Sequence, residues 1–262
     1  MKKVMETGPY LYAAALAGFG IIQLVTQNFL TGLLPVPESL PLRPLWIYLT
    51  SGVFLMVAGA IFFNARQQLA ALTAGGLFFV FFLFLDVPKL INNVYNANLW
   101  AVTFETVMLF SGAFIMAPFL TNERVEGPQW SRIINAMSVL SRYFFALSLV
   151  IFAIQHIKYE TYIETLIPAW LPAIAVWSYL VIATYLLAAI SFVTRVRLYL
   201  ASAILGSMFL LWVVILHAPR AITKMTEPEW SSLCVCLGVA GASFCIGFIT
   251  YRRPSTFYLR TP

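Results

Sequence analysis

Charge is what this sequence is short of. Asp, Glu, Lys and Arg make up 10% of its 262 residues, where a soluble domain carries about 25%. Such a supply of ionisable side chains does not cover the surface of a water-soluble fold of this length. Dense basic runs are missing too, so the net charge of +6 offers no phosphate-binding patch and excludes a nucleic-acid binder. Cysteine is scarce: Cys234, Cys236 and Cys245 are the three present, and the Cys-x-x-Cys spacing of thiol oxidoreductases is absent. Phosphate loops, nucleophile elbows and metalloprotease motifs are also absent. What remains is apolar: hydrophobic residues reach 61% and the mean hydropathy is +0.86. Disordered chains are poor in such residues. The composition is that of an integral membrane protein.

Runs without charge mark the spans, because a charge at the bilayer centre is costly. Thr7–Pro37, Pro44–Ala65, Gln67–Leu85, Thr165–Thr194, Leu198–Pro219 and Trp230–Tyr251 contain none. Two more apolar stretches carry one charge each: Leu99–Leu120 with Glu105, and Ala136–Ile157 with Arg142. Each can hold the roughly 17–25 residues of a spanning helix. The runs do not alternate apolar with polar residues, which excludes a β-barrel. The first stretch follows Lys2 and Lys3 but exceeds the ~7–15 apolar residues of a secretory signal, so we read it as a retained span. The expectation is an all-α integral membrane protein with eight transmembrane helices.

Basic residues set the orientation. An even number of spans leaves both termini on one side, together with Lys2, Lys3, Arg66, Arg124, Arg132, Arg195, Arg197, Arg252, Arg253 and Arg260. The opposite side has only Arg43, Lys89, Lys158, Arg220 and Lys224. The positive-inside rule then places both termini in the cytoplasm of a bacterial inner-membrane protein. Trp46, Trp100, Trp130, Trp170, Trp177 and Trp230 fall near span ends, as interfacial aromatics do.

The halves of the chain echo each other. Trp46-Ile-Tyr48 recurs as Trp177-Ser-Tyr179, Arg66 as Arg197, and Asp86-Val-Pro88-Lys89-Leu-Ile91 as His217-Ala-Pro219-Arg220-Ala-Ile222, all 131 positions later. Upstream, Ile22-Gln23 matches Ile154-Gln155, and Leu33-Leu34-Pro35 matches Leu166-Ile167-Pro168, with the offset drifting by one or two residues. Fixed-period self-similarity is the signature of duplication. The reading is two tandem, parallel-oriented four-helix bundles, residues 1–130 and 131–262, related by an axis along the membrane normal. Transporters use parallel repeats as well as inverted ones.

The second unit resembles the DoxX family of four-helix membrane proteins. The resemblance lies in Gln155-His156 closing a helix, then Tyr162, then Ile167-Pro168-Ala169-Trp170-Leu171-Pro172 and a further apolar helix. Arg142 matches the family's first-helix Arg, and Pro219 its Pro near the end of the third helix. The first unit departs: Leu24 stands in the His position, and Val36-Pro37-Glu38 replaces the Ala-Trp-Leu stretch. The resemblance implies a membrane protein linked either to quinone-coupled oxidation or to assembly of other proteins.

Polar residues at the outer span ends are the candidates for a site. Asp86 and Lys89 follow the third span, Glu105 lies inside the fourth, His156 ends the fifth, and His217 and Arg220 end the seventh. Trp170 joins them from the motif. We expect these seven to line a polar pocket open to the periplasmic side, capped by Pro35–Pro44 and Pro168–Pro172. Glu105 either faces the bundle interior or water, or hydrogen-bonds in neutral form to a neighbouring helix. His156 titrates near neutrality and suits proton carriage or a hydrogen bond to a quinone carbonyl, or else is an interfacial ring satisfied by water; if its helix continues, Glu160 shares its face. Arg142 near the cytoplasmic end snorkels or holds helix-end carbonyls. His217 precedes Pro219, where the helix kinks or stops. Two histidines on separate helix ends are not a metal motif, so no metal site is expected. Gly238, Gly241, Ala242 and Gly247 in the last span, with Gly112 and Ala113 in the fourth, point to close helix packing.

Three functions fit this reading. The first is a non-catalytic accessory or binding protein, without a bound cofactor, that takes a lipid-like ligand or a membrane or periplasmic protein partner. The second is a quinone-interacting subunit of a membrane oxidoreductase, and the third a small-solute transporter.

Overall fold

The computed structural model of the chain describes residues 2–120 and 127–252. Arg124, Arg253 and Arg260 of the charge pattern lie outside the described residues. Within them there is no strand, and eight helices are long and apolar enough to cross a membrane. In chain order they are α1 Gly8–Thr26, α2 Arg43–Phe62, α3 Gln67–Asn92, α4 Ala97–Met116, α5 Pro128–Lys158, α6 Ile174–Thr194, α7 Leu198–Lys224 and α8 Glu227–Arg252. Short helical pieces, Lys2–Met5 and Glu160–Glu164, precede α1 and follow α5.

Local chemistry accounts for the helix starts. Proline occupies the first or second position of α1, α2 and α5, where a helix has no use for the missing N–H. Leu42, Arg66, Ala173 and Arg197, each just ahead of a helix, have φ of +46° to +54° and turn the chain sharply back. Asn64 and Arg195 have left-handed φ as well. These six residues fall into three pairs, Leu42 with Ala173, Asn64 with Arg195 and Arg66 with Arg197, each 131 positions apart.

The same spacing separates two interruptions inside helices. Phe82–Asp86 in α3 and Val213–His217 in α7 are π-helical turns. Pro88 and Pro219 follow each by two residues. A proline ring collides with the carbonyl four residues earlier, and here that residue, Phe84 or Ile215, lies in the widened turn. The helix therefore runs on past His217 instead of stopping there: Ala218–Lys224 continues it.

Helices adjacent in sequence pack side by side from α1 round to α8, and α8 returns to lie along α1. α4 and α8 also meet each other across the middle. Burial reflects this arrangement: 72% and 78% of the apolar stretches of α4 and α8 are enclosed, against 39–50% for the other six spans. The longest interfaces include two that join the halves, α1 with α8 and α4 with α5.

Small residues permit those approaches. A Cβ on Gly241 of α8 would meet the Tyr12 backbone N and lie 2.7 Å from Gly8 O of α1. A Cβ on Gly112 of α4 would sit 2.6 Å from Ala242 Cβ of α8, and one on Gly247 3.3 Å from Tyr199 O of α7. Between helices in lipid, close backbone packing of this type replaces the hydrophobic effect as the source of association. The Tyr12 hydroxyl donates to Leu109 O at 2.9 Å and ties α1 to α4 inside the core. Cys234, Cys236 and Cys245 are buried free thiols on α8.

Candidate functional site

Five helices, α4 to α8, surround a cavity of about 290 Å³ toward the end of the bundle where α5 and α7 finish. α4 contributes Ala101, Glu105 and Met108; α5 contributes Phe152, Gln155 and His156. From α6 come Ser178, Val181 and Tyr185, and from α7 come Phe209, Trp212, Leu216 and His217. α8 closes the far wall with Ser232, Val235, Cys236 and Val239, while Ile163, Leu166 and Ile167 form a roof. The wall is mostly apolar with a few polar groups placed on it, which is how small-molecule sites are built.

Helix geometry brings these groups together. On α4, Ala101, Glu105 and Met108 recur every three or four residues and so share one face. On α5, Phe152 and His156 are one turn apart, and the His156 Nδ1–H donates to Phe152 O at 2.9 Å. A carbonyl only accepts, so that bond fixes the tautomer: the neutral ring keeps Nε2 as an acceptor. The His156 ring stands edge-on to Tyr185 at 5.3 Å between centroids, and Tyr185 lies 6.0 Å from Phe152 and 5.9 Å from Phe209. Gln155 donates its side-chain amide to Ala97 O at 3.0 Å, holding the end of α5 to the start of α4. The Cys236 thiol donates to Phe209 O at 3.2 Å.

Several polar atoms here carry no partner. Ser178 Oγ and His217 Nδ1 are buried without a hydrogen bond. No ion pair to Glu105 forms among the described residues, and Asp86 is the charged group close enough to act on it. The Tyr185 hydroxyl and the Cys236 thiol are also within its electrostatic reach. Groups of three or more metal-ligating side chains are absent among the described residues.

The seven candidates separate into three situations. Glu105, His156 and His217 line the cavity. Asp86 does not; it sits on the π-helical turn of α3, 2% exposed, beside Thr106 of α4, whose hydroxyl donates to Val102 O instead. Both Asp86 carboxyl oxygens are buried and lack a hydrogen bond. The remaining three lie away from the cavity wall. Arg220 grips Glu229 of α8 through Nε at 3.0 Å and a terminal nitrogen at 2.8 Å, and Lys224 joins the same carboxylate at 2.8 Å. Trp170 is 70% exposed, and Lys89 is half-buried at the end of α3. α5 ends at Lys158, so Glu160 opens a separate short helix and does not continue the face of His156. The roof comes from the residues leading into Pro168; the segment Pro35–Pro44 contributes nothing to it.

Sequence reasoning missed Ser178, Tyr185, Phe209, Trp212 and Cys236. Tyr185 and Cys236 had a signal: at the 131 offset, Phe54 and Glu105 occupy their positions, so both mark places where one half is more polar than the other.

Arg142 lies at the middle of α5, about four turns before His156, and is 2% exposed, with its guanidinium 5.1 Å from the Tyr143 ring centroid and 3.3 Å from the Tyr143 hydroxyl. It is no part of the cavity. Comparison with known protein families, with curated proteins and with solved structures finds no match for this chain.

Proposed function

We propose that this protein is a multi-pass protein of a bacterial inner membrane, with both termini cytoplasmic, that binds a small amphiphilic molecule in the cavity between α4 and α8. The observation that carries this reading is the cavity itself: an apolar chamber near one membrane face, with Glu105, His156 and His217 on its wall. Ionisable groups inside a membrane are costly and ordinarily serve a bound molecule or a path. In this orientation the chamber lies toward the periplasmic side. Catalysis is not required of it, and the protein would act as an accessory or carrier to a membrane or periplasmic partner.

The DoxX resemblance and the tandem duplication belong to the same proposal. Left-handed residues and π-helical turns that recur at 131 positions support two related units, 1–130 and 131–262. Those units interlock through α1 with α8 and α4 with α5. Within this reading only the second unit keeps the helix-ending His156.

The fixed tautomer of His156 bears on the quinone alternative. Neutral His156 presents an acceptor at Nε2, which matches the hydroxyl of a quinol and mismatches the carbonyl of a quinone. A redox subunit would accordingly hold the reduced form here. A transporter remains the third reading, resting on the parallel relation of the units.

Native mass spectrometry of protein extracted with its surrounding lipid tests the binding function. Wild type is expected to retain a small-molecule adduct, and Ala101→Phe, which fills the cavity, to lose it. The same adduct on both proteins would remove the cavity from the function.

A further inference from the structure

The proposed binding function leaves open what kind of molecule the cavity takes, and its wall narrows the choice. The acidic side chain on the chamber wall has no basic partner. Glu105 has a second carboxyl, Asp86, as its charged neighbour and no ammonium or guanidinium. Arg220 acts on His217 but is held bidentately by Glu229. Lys89 acts on Asp86 from the end of α3, away from the cavity wall, so among the described residues an anionic ligand in the chamber would meet Glu105 with no cation on the wall to receive it.

Rings surround the same space. Phe152, Tyr185, Phe209 and Trp212 come from three different helices and all border the chamber. Tyr185 stands at the centre of the group, within 6.0 Å of both Phe152 and Phe209. Aromatic faces attract cations through the ring quadrupole, most strongly where water is excluded. A carboxylate without a partner in such a place gains most from a ligand that brings the missing positive charge. The size of the chamber, about 290 Å³, suits one ring with a compact head group.

From this convergence we infer that the cavity is a site for an organic cation with an apolar body, such as an alkyl or aryl quaternary ammonium, whose head pairs with Glu105 while its body packs among Phe152, Tyr185, Phe209 and Trp212. The inference rests on the proposed binding function and specifies its ligand class. Ser178 Oγ and His217 Nδ1, buried without a hydrogen-bond partner, are available to a hydroxyl or amide on the ligand's body.

The test compares two molecules of one shape. Benzyltrimethylammonium carries the charge, and neopentylbenzene replaces its nitrogen by carbon. Saturable binding of radiolabelled benzyltrimethylammonium is measured on the full chain in lipid nanodiscs, with neopentylbenzene as competitor. Wild type is expected to bind the cation at least tenfold more tightly than its neutral isostere. Glu105→Gln should lose that tenfold preference, and Glu105→Asp should keep part of it, which guards against a variant that merely misfolds. Equal affinity for the two molecules would overturn the cation assignment while leaving a binding cavity in place. An unchanged preference in correctly folded Glu105→Gln would overturn the role of Glu105. Absence of any saturable binding would overturn the assignment, and the adduct measurement would then decide separately whether the cavity binds anything.

Discussion

Phe19, Phe54 and Phe78 meet ring to ring in the first half of the chain, with centroids 5.5–6.0 Å apart and no more than 1% exposure. Tyr185 and Phe209 stand 131 positions after Phe54 and Phe78, and together with Phe152 they border a cavity. Leu30, Leu33 and Leu34, leading into Pro35, are fully buried. Their counterparts Ile163, Leu166 and Ile167 form the roof of the cavity. Gln23 is turned inward in the first half, where its carbonyl accepts from Thr50 and Ser51 at 3.0 Å each. Gln155 spends its amide on the start of α4. One backbone plan thus supports a packed core and a hollow one. The difference arises from a few side chains: a plug of leucines driven fully inward, and Leu24 where the other half has His156.

The caps are also fastened differently. Glu227 at the start of α8 accepts from the Thr31 backbone N at 3.0 Å and from the Thr31 hydroxyl, so the plug of the first half is tied to a helix of the second. Arg43 adds bonds to Pro37 O at 2.7 Å and Asn28 Oδ1 at 2.6 Å, with its guanidinium over Phe29. Asn96, at the place of Glu227 in the first half, caps its own helix by accepting from Asn98 N and Leu99 N. The roof residues 159–167 make their backbone bonds within three or four positions of themselves. The first cap is thus tied across the halves, whereas in the second Ile167 and Leu171 are the buried apolar residues.

Four substitutions set these halves against each other. Gly241→Leu strikes the seam they share, where no side chain fits between α8 and α1. It should abolish the folded monodisperse protein on size-exclusion chromatography, and survival of a single sharp melting transition would show that the seam does not join the halves. Next in size, Phe54→Ala opens a void in the packed core and should cost about 3–5 kcal/mol, whereas Tyr185→Ala enlarges a void that already exists and should cost less than half as much. Equilibrium unfolding in mixed micelles reads both, and equal losses would erase the contrast between plugged and hollow. The smallest effect is expected from Glu227→Gln, which weakens a charge-assisted bond worth about 1.5–3 kcal/mol. Hydrogen exchange should accelerate at residues 28–36 and stay unchanged at 159–167; a uniform change over both caps would remove the difference in fastening.

The span count was legible in the sequence because charge scarcity is a composition effect that needs no tertiary knowledge. Glu105, His156 and His217 were legible as well, since a polar residue in an apolar run stands out wherever it points. The rest depends on distances between helices. Asp86 and His217 look alike in sequence, yet one is buried beside Thr106 and the other borders the cavity. Arg220 reads as a free cation until Glu229, nine residues away on the next helix, is seen to hold it. Trp170 carries a motif and stays on the surface. Hollowness is the least legible property: Leu30, Leu33 and Leu34 are fully buried while Ile163, Leu166 and Ile167 border a cavity, and periodicity does not encode that difference.

The long contact between α1 and α8 also bears on how the chain is made. A nascent chain emerges from its N-terminus, and domains generally fold in that order. Here the first helix has to wait in the bilayer for the last one, since Gly8 and Tyr12 pack on Gly241. The plug over the first core has Arg43 to hold it and lacks its bonds from Thr31 until Glu227 arrives. The later helix α8 therefore completes the earlier half, and a ribosome stalled before α8 would leave both halves unfinished.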